Sequence, residues 1–172
     1  MGARFRIEPL SDVHDRTRFQ SGSEPLDRYL REQASQDTRR HLSTCFVAVE
    51  VQTGVIAGYY TLTATNIPLD QLSAEIAKRL PRYPVVLAAL LGRLAIHRHH
   101  QGKGLGSALL GDAIVRVARS ELGVFAIVVD AKDVSAQRFY EHYGFTLLAG
   151  ETRRLCLPIA TALHALEDPK RK

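Results

Sequence analysis

The sequence predicts an α/β domain with a central mixed β-sheet and helices on both faces, and three observations carry that prediction. Apolar, β-branched runs and helical periodicities follow one another in the order hairpin, strand, helix, strand, helix, strand. Residues 85–96 are almost continuously apolar, as a strand covered on both faces would be. The next segment is the clearest amphipathic helix of the chain, with Gly106, Leu109, Leu110, Ala113, Ile114 and Val117 on one face and Asp112, Arg116 and Arg119 on the other.

In chain order, residues 5–7 read as a short first strand. A helix over residues 24–36 follows, with Ser23 and Pro25 suited to its start and Leu26, Tyr29, Leu30 and Ala34 forming its apolar stripe. Residues 44–51 and 55–63 are β-rich, and Gly54 in the intervening turn makes them a hairpin. Leu69, Leu72, Ile76 and Leu80 fall on one face of a further helix closed by Pro81. Residues 125–129 form another buried strand. Asp133 caps a helix reaching Tyr143, and Gly144 ends it before a strand over residues 145–148.

At 172 residues, 45% hydrophobic and 24% charged, the chain suits one globular domain, expected over residues 1–166 with a flexible basic tail at 167–172. No apolar run approaches the roughly 20 residues of a bilayer span, and the N-terminus carries no signal-like segment, so a cytoplasmic location with no membrane partner is expected. Cys45 and Cys156 stand alone in apolar surroundings and read as buried, inert thiols. The formal charge of +5 is compatible with a polyanionic partner or with solubility alone.

Between the strand at 85–96 and the amphipathic helix lies Gln101-Gly102-Lys103-Gly104-Leu105-Gly106-Ser107. Its glycines allow a tight turn and close backbone approach, and the helix start offers N–H groups and partial positive charge to a pyrophosphate. The loop lacks the framing of a Rossmann fingerprint and the Gly-Lys-Ser/Thr of a P-loop. The spacing Gln101-x-x-Gly104-x-Gly106 resembles the acetyl-CoA loop of the Gcn5-related N-acetyltransferases. Phe139-Tyr140-x-x-x-Gly144-Phe145 resembles the end of that fold. Gly58-Tyr59-Tyr60-Thr61-Leu62, Leu91-Gly92-Arg93-Leu94-Ala95-Ile96 and Val129-Asp130-Ala131-Lys132-Asp133 are similar to the acetyltransferase toxins of bacterial toxin–antitoxin pairs, a likeness covering residues 22–163.

The resemblance implies the GNAT fold, with a mixed, mostly antiparallel sheet. It implies acetyl-CoA as acetyl donor, aminoacyl-tRNA as acceptor, arrest of translation, and a small ribbon-helix-helix antitoxin that brings operator DNA. A homodimer is compatible with it. It further implies that Leu94, Ala95 and Ile96 pair with the pantetheine arm and that amides from Gln101 to Ser107 take the pyrophosphate. Phe139 then borders the cofactor, and Tyr140 stabilises the departing thiolate.

The residues themselves bear on the acceptor. From Ile76 to Gly111 there is no carboxylate, while Lys78, Arg79, Arg82, Arg93, Arg98 and Lys103 contribute six positive charges. A lysine ε-amine is only about 0.1% neutral at pH 7.4 and needs a base, whereas an α-amine is already about one-fifth neutral. The segment therefore suits an α-amino acceptor, although Glu32 or Asp37 remain available as a base from elsewhere. Arg79, Arg82, Arg93 and Arg98 are candidates for the tRNA backbone or the acceptor channel. Arg93, in an apolar strand, either lines that channel or pairs with Asp130. His97, His99 and His100 have no carboxylate or thiolate nearby and read as a basic rim rather than a metal site. Competing expectations are an acetyltransferase acting on a protein N-terminus or a small amine, and a non-catalytic binding module of the same fold.

Overall fold

The computed structural model describes residues 4–167. Seven strands form a mixed sheet in the order β1-β2-β3-β4-β5-β7-β6, and the chain divides into two compact units. The first runs through Thr63 and includes Gly92–Ala113; the second holds Ala64–Leu91 and the described chain from Ile114 onward.

In the first unit, β1 (Phe5–Pro9) pairs antiparallel with β2 (Thr44–Glu50), which pairs antiparallel with the start of β3 (Ile56–Pro68). Gly54, at φ 71°, turns that hairpin. The helical segment between β1 and β2 comprises α1 (Glu24–Arg28), a π-helical turn (Tyr29–Gln33) and α2 (Ala34–Arg39). Ser23 stands at its N-cap and Pro25 in its first turn, as expected, but the Ser23 hydroxyl makes no cap bond; instead the Asp27 carboxylate accepts from the Ser21 N–H at 2.9 Å and the Ser21 hydroxyl at 2.7 Å. Tyr29, Leu30 and Ala34 pack with Phe19, Val47, Tyr59 and Ala95 as one buried cluster.

Side chains alternate across a strand, and β3 uses both faces. Tyr59 belongs to the Tyr29 cluster, whereas the Tyr60 hydroxyl donates to Asp112 at 2.5 Å on α4 (Leu105–Ala118). Gly58 lies on the α4 side. A Cβ there would sit 3.0 Å from the Ala95 carbonyl, Ile96 Cδ1 and Leu109 Cδ1, so any side chain larger than hydrogen would press these neighbours back by a few tenths of an ångström. Helices cover both faces, as expected, but Asp112 is engaged by Tyr60 rather than turned away.

The second unit holds the start of β4 (Val85–Ile96), β5 (Ala126–Asp130), α5 (Val134–His142), β6 (Thr146–Leu147), β7 (Arg154–Pro158) and α6 (Ile159–Glu167). β4 and β5 are parallel from Ala88↔Ala126 to Leu91↔Val129, and β7 is antiparallel to β5 and β6. Ile67, Leu72, Ala88, Val128 and Cys156 form its core with Leu69, Ile76 and Leu80.

Three local expectations need correction. β3 runs on to Pro68. The helix expected through Leu69–Leu80 is broken into a 3₁₀ turn (Leu69–Gln71) and α3 (Ala74–Ala77), because Leu72 is extended and the Ser73 hydroxyl caps a new helix by accepting the Ile76 N–H. β4 is not covered on both faces: Val85 and Leu87 are 38% and 61% exposed, opposite the packed Val86, Ala88 and Leu90. The expected basic tail lies, beyond Glu167, outside the described residues. Among the described residues, no helix is long and apolar enough to cross a membrane. Cys45 and Cys156 are buried free thiols, as expected, and burial pushes the Cys45 thiol up to about 12.

Candidate active site

The glycine loop belongs to the first unit, and its approach is held by backbone bonds. The His97 N–H donates to Ala57 O and the Arg98 N–H to Gln20 O, each at 2.8 Å. His97 Nδ1 then accepts the His99 N–H at 3.1 Å and caps a 3₁₀ turn, Arg98–His100. His97 is 9% exposed, and burial lowers its basicity, which suits an accepting, neutral ring. It is a buried cap rather than part of a basic rim. Among the described residues, no group of three His, Cys, Asp or Glu side chains stands where it can hold a metal ion. Gln101 completes the staple, its side-chain amide donating to Ser21 O at 2.7 Å and Ile96 O at 2.9 Å.

Past Gln101 the backbone alternates. Gly102 has φ 73° and Gly104 φ 83°, flanking Lys103, whose Nζ donates to His99 O at 3.2 Å. Left-handed residues placed alternately turn successive N–H groups into a common concavity, an anion nest. The first intrahelical donor of α4 is Ala108, to Gly104 O at 3.1 Å, so the Leu105 and Gly106 amides have no i−4 partner within the helix. A Cβ built on Gly102 or Gly104 would meet nothing within 4 Å, so the space over the loop is open. Backbone donors, open space and a fourteen-residue helix pointing its positive end at the loop fit a pyrophosphate. Leu94, Ala95 and Ile96 are the last residues of β4 and lie beyond its final pair with β5, Leu91↔Val129.

Tyr140 lies in the second unit, on α5. Asp133 caps that helix by accepting the Ala136 N–H at 2.7 Å. Gly144, at φ 95°, ends it, placing Phe145 back against Tyr140 with ring centroids 5.4 Å apart. Phe139 packs edge-on against Tyr140 and Tyr143, each at 5.2 Å. Tyr140 is 7% exposed, and among the described residues its hydroxyl has no hydrogen-bond partner. Burial pushes the phenol up to about 12, so it stays protonated across the physiological range and is a proton donor, not a base.

The arginines divide between the units. Arg79 and Arg82 are exposed, between α3 and β4 in the second. Arg98 is exposed and Arg93 partly buried in the first. Arg93 does not pair with Asp130, which Arg154 grips through two bonds of 2.8 and 3.0 Å. Its guanidinium carbon instead lies 3.5 Å from the Tyr29 ring centroid. Tyr29 in turn donates its hydroxyl to Asp37 at 2.8 Å. Sequence reasoning saw Asp37 only as a spare carboxylate and Tyr29 only as apolar stripe; a pair eight residues apart gives no recognisable signal without knowledge of the π-turn between them.

The acetyltransferase (GNAT) domain model matches residues 41–147. The tRNA-acetylating toxin of Mycobacterium tuberculosis is 35% identical over 162 residues, covering 92% of this chain and 95% of that protein. AtaT complexed with acetyl-methionyl-tRNAfMet superposes with a TM-score of 0.87 at 28% identity, covering 94% of this chain and 99% of the other. A tyrosine-to-phenylalanine mutant of AtaT, bound to acetyl-CoA and the C-terminus of the antitoxin AtaR, gives 0.79 at 25% identity, with 96% and 100% covered. With its loop, its sheet and the matched span in agreement, the chain belongs to the GNAT acetyltransferases.

Proposed function

We propose that this chain is an acetyl-CoA-dependent N-acetyltransferase toxin that acetylates the α-amino group of aminoacyl-tRNA and so blocks translation. The likeness to a tRNA-acetylating toxin across 92% of the chain carries the proposal, and the intact glycine loop and the buried, protonated Tyr140 supply the chemistry it requires.

Acetyl-CoA supplies the acetyl group activated as a thioester. The backbone from Gln101 to Ser107 binds its pyrophosphate, with Gly102, Gly104 and Gly106 allowing the close approach. Leu94, Ala95 and Ile96 offer peptide groups to the pantetheine arm, and Phe139 supplies an apolar wall. Tyr140 keeps its proton on the phenol oxygen and is the donor assigned to the departing thiolate. With the phenol near 12 and a thiol near 8.5, complete transfer is uphill by roughly 5 kcal/mol. The hydroxyl therefore acts first as a hydrogen bond that strengthens as charge builds on sulfur, and gives up its proton late.

No carboxylate is required to activate an amine of pKa about 8, in keeping with the cationic stretch that contains Arg79, Arg82, Arg93 and Arg98. Those arginines receive the tRNA backbone. The partners that complete the reading are a ribbon-helix-helix antitoxin, operator DNA reached through it, and a second copy of the chain, all in the cytoplasm. The test is transfer of labelled acetyl from acetyl-CoA to charged tRNA, with uncharged tRNA and free amines as controls; label on the free amines alone would replace this reading with a small-amine transferase.

A further inference from the structure

The π-turn within the first helical segment brings two buried polar groups together. In an α-helix each residue advances about 100°, so positions i and i+8 stand about 80° apart around the axis. A π-turn inserts one extra residue, so Tyr29 and Asp37 relate roughly as i and i+7 and fall within about 20° of one line. The side chains use that alignment: Tyr29 is 7% exposed, Asp37 is 9% exposed, and their hydrogen bond is 2.8 Å long. Buried polar groups this close hold one geometry, so the Tyr29 ring cannot swing. Ser43 also bonds to the Tyr29 hydroxyl, and the faces of the ring meet Tyr59, stacked at 6.4 Å, and the Arg93 guanidinium at 3.5 Å from its centroid.

Arg93 occupies β4 two residues before Ala95, roughly 7 Å along the strand. A guanidinium stacked on an aromatic face keeps its N–H edge in plane and free to grip an oxyanion bidentately. Among the described residues no carboxylate forms an ion pair with Arg93, whereas Arg6, Arg31 and Arg154 each have one. Asp37 reaches Arg93 only through the ring it anchors, so the cation is held in place without being neutralised.

We infer that Tyr29 and Asp37 are positioning residues that hold Arg93 to take a phosphate oxygen at the acceptor end of the aminoacyl-tRNA. The inference rests on the proposed function and adds to it the device that places the acceptor. The test is a double-mutant cycle on the full chain, reading KM for charged tRNA, kcat and acetyl-CoA affinity. Arg93→Ala should raise KM at least tenfold, and Arg93→Lys, which keeps the charge but loses the planar fork, should not restore it. Tyr29→Leu and Asp37→Asn should each raise KM at least fivefold with kcat within twofold and acetyl-CoA affinity unchanged. In the Arg93→Ala background each should add less than twofold. Tyr29→Phe keeps the ring and loses the Asp37 bond, so it serves in the cycle if Tyr29→Leu does not fold. Additive effects, or acetyl-CoA affinity falling in step with KM, would overturn the positioning role while leaving the function standing. A wild-type chain that never labels charged tRNA would overturn both.

Discussion

Gly104 offers a graded perturbation of the cofactor loop. Its φ of 83° lies in the left-handed region, and a Cβ there would touch nothing within 4 Å. The penalty of a side chain is therefore conformational rather than steric, about 1–2 kcal/mol for alanine and more for a β-branched residue. That penalty has two outlets. Either the loop keeps its shape and the fold loses stability, or the loop relaxes and the nest is lost. Gly102, Lys103 and Gly104 are all exposed, so little packing resists relaxation and cofactor binding should take the loss. Acetyl-CoA affinity measured by calorimetry should fall about 5- to 30-fold for Gly104→Ala, further for Gly104→Val, and least for Gly104→Asn, because asparagine tolerates left-handed backbone. Melting temperatures should stay within a degree or two. Unchanged affinity in Gly104→Val, or loss of stability at constant affinity, would refute the assignment of this backbone to the pyrophosphate.

Other perturbations separate the remaining roles. Tyr140→Phe should lower kcat by roughly 10²- to 10⁴-fold, the usual range for a positioned acid, with acetyl-CoA affinity within threefold; turnover near wild type would remove the hydroxyl from the reaction. Because the phenol lies near 12, kcat/KM should rise as the α-amine deprotonates from pH 6 to about 8.5 and show no falling limb up to pH 9.5, which initial rates would establish. Mutating Arg79 and Arg82 together to alanine should reduce the slope of log KM against log salt by about 0.7–0.9 for each phosphate that the protein no longer neutralises. At the far edge of the first unit, Glu8 accepts from Arg6 and contacts His14, each at 2.7 Å, and these bonds hold its carboxyl down at about 2. A lowered folded-state value contributes stability above the unfolded carboxylate range that is lost as pH falls from about 5 to about 2. The difference in melting temperature between wild type and Glu8→Gln should vanish across that window.

What the sequence made legible was whatever local pattern dictates. The run at 85–96 is β4 to the residue, Asp133 and Gly144 bracket α5, and the glycine spacing located the loop. Features set by tertiary partners were hidden. β7 is too short for its alternation to register, yet it lies between β5 and β6. β3 continues through Thr63-Ala64-Thr65-Asn66, whose polarity reads as a loop until a neighbouring strand holds it. The π-turn leaves the apolar stripe intact and only shifts its phase. Arg93 invited pairing with Asp130 because both stood out in apolar strands; Arg154, beyond any motif, has that carboxylate.

The most direct measurement is incorporation of labelled acetyl from acetyl-CoA into a total aminoacyl-tRNA pool, with uncharged tRNA and free amino acids alongside. Label confined to charged tRNA, and lost with Tyr140→Phe, is the predicted result and would identify the amino acid accepted. A chain that binds acetyl-CoA yet leaves charged tRNA unlabelled would contradict the account.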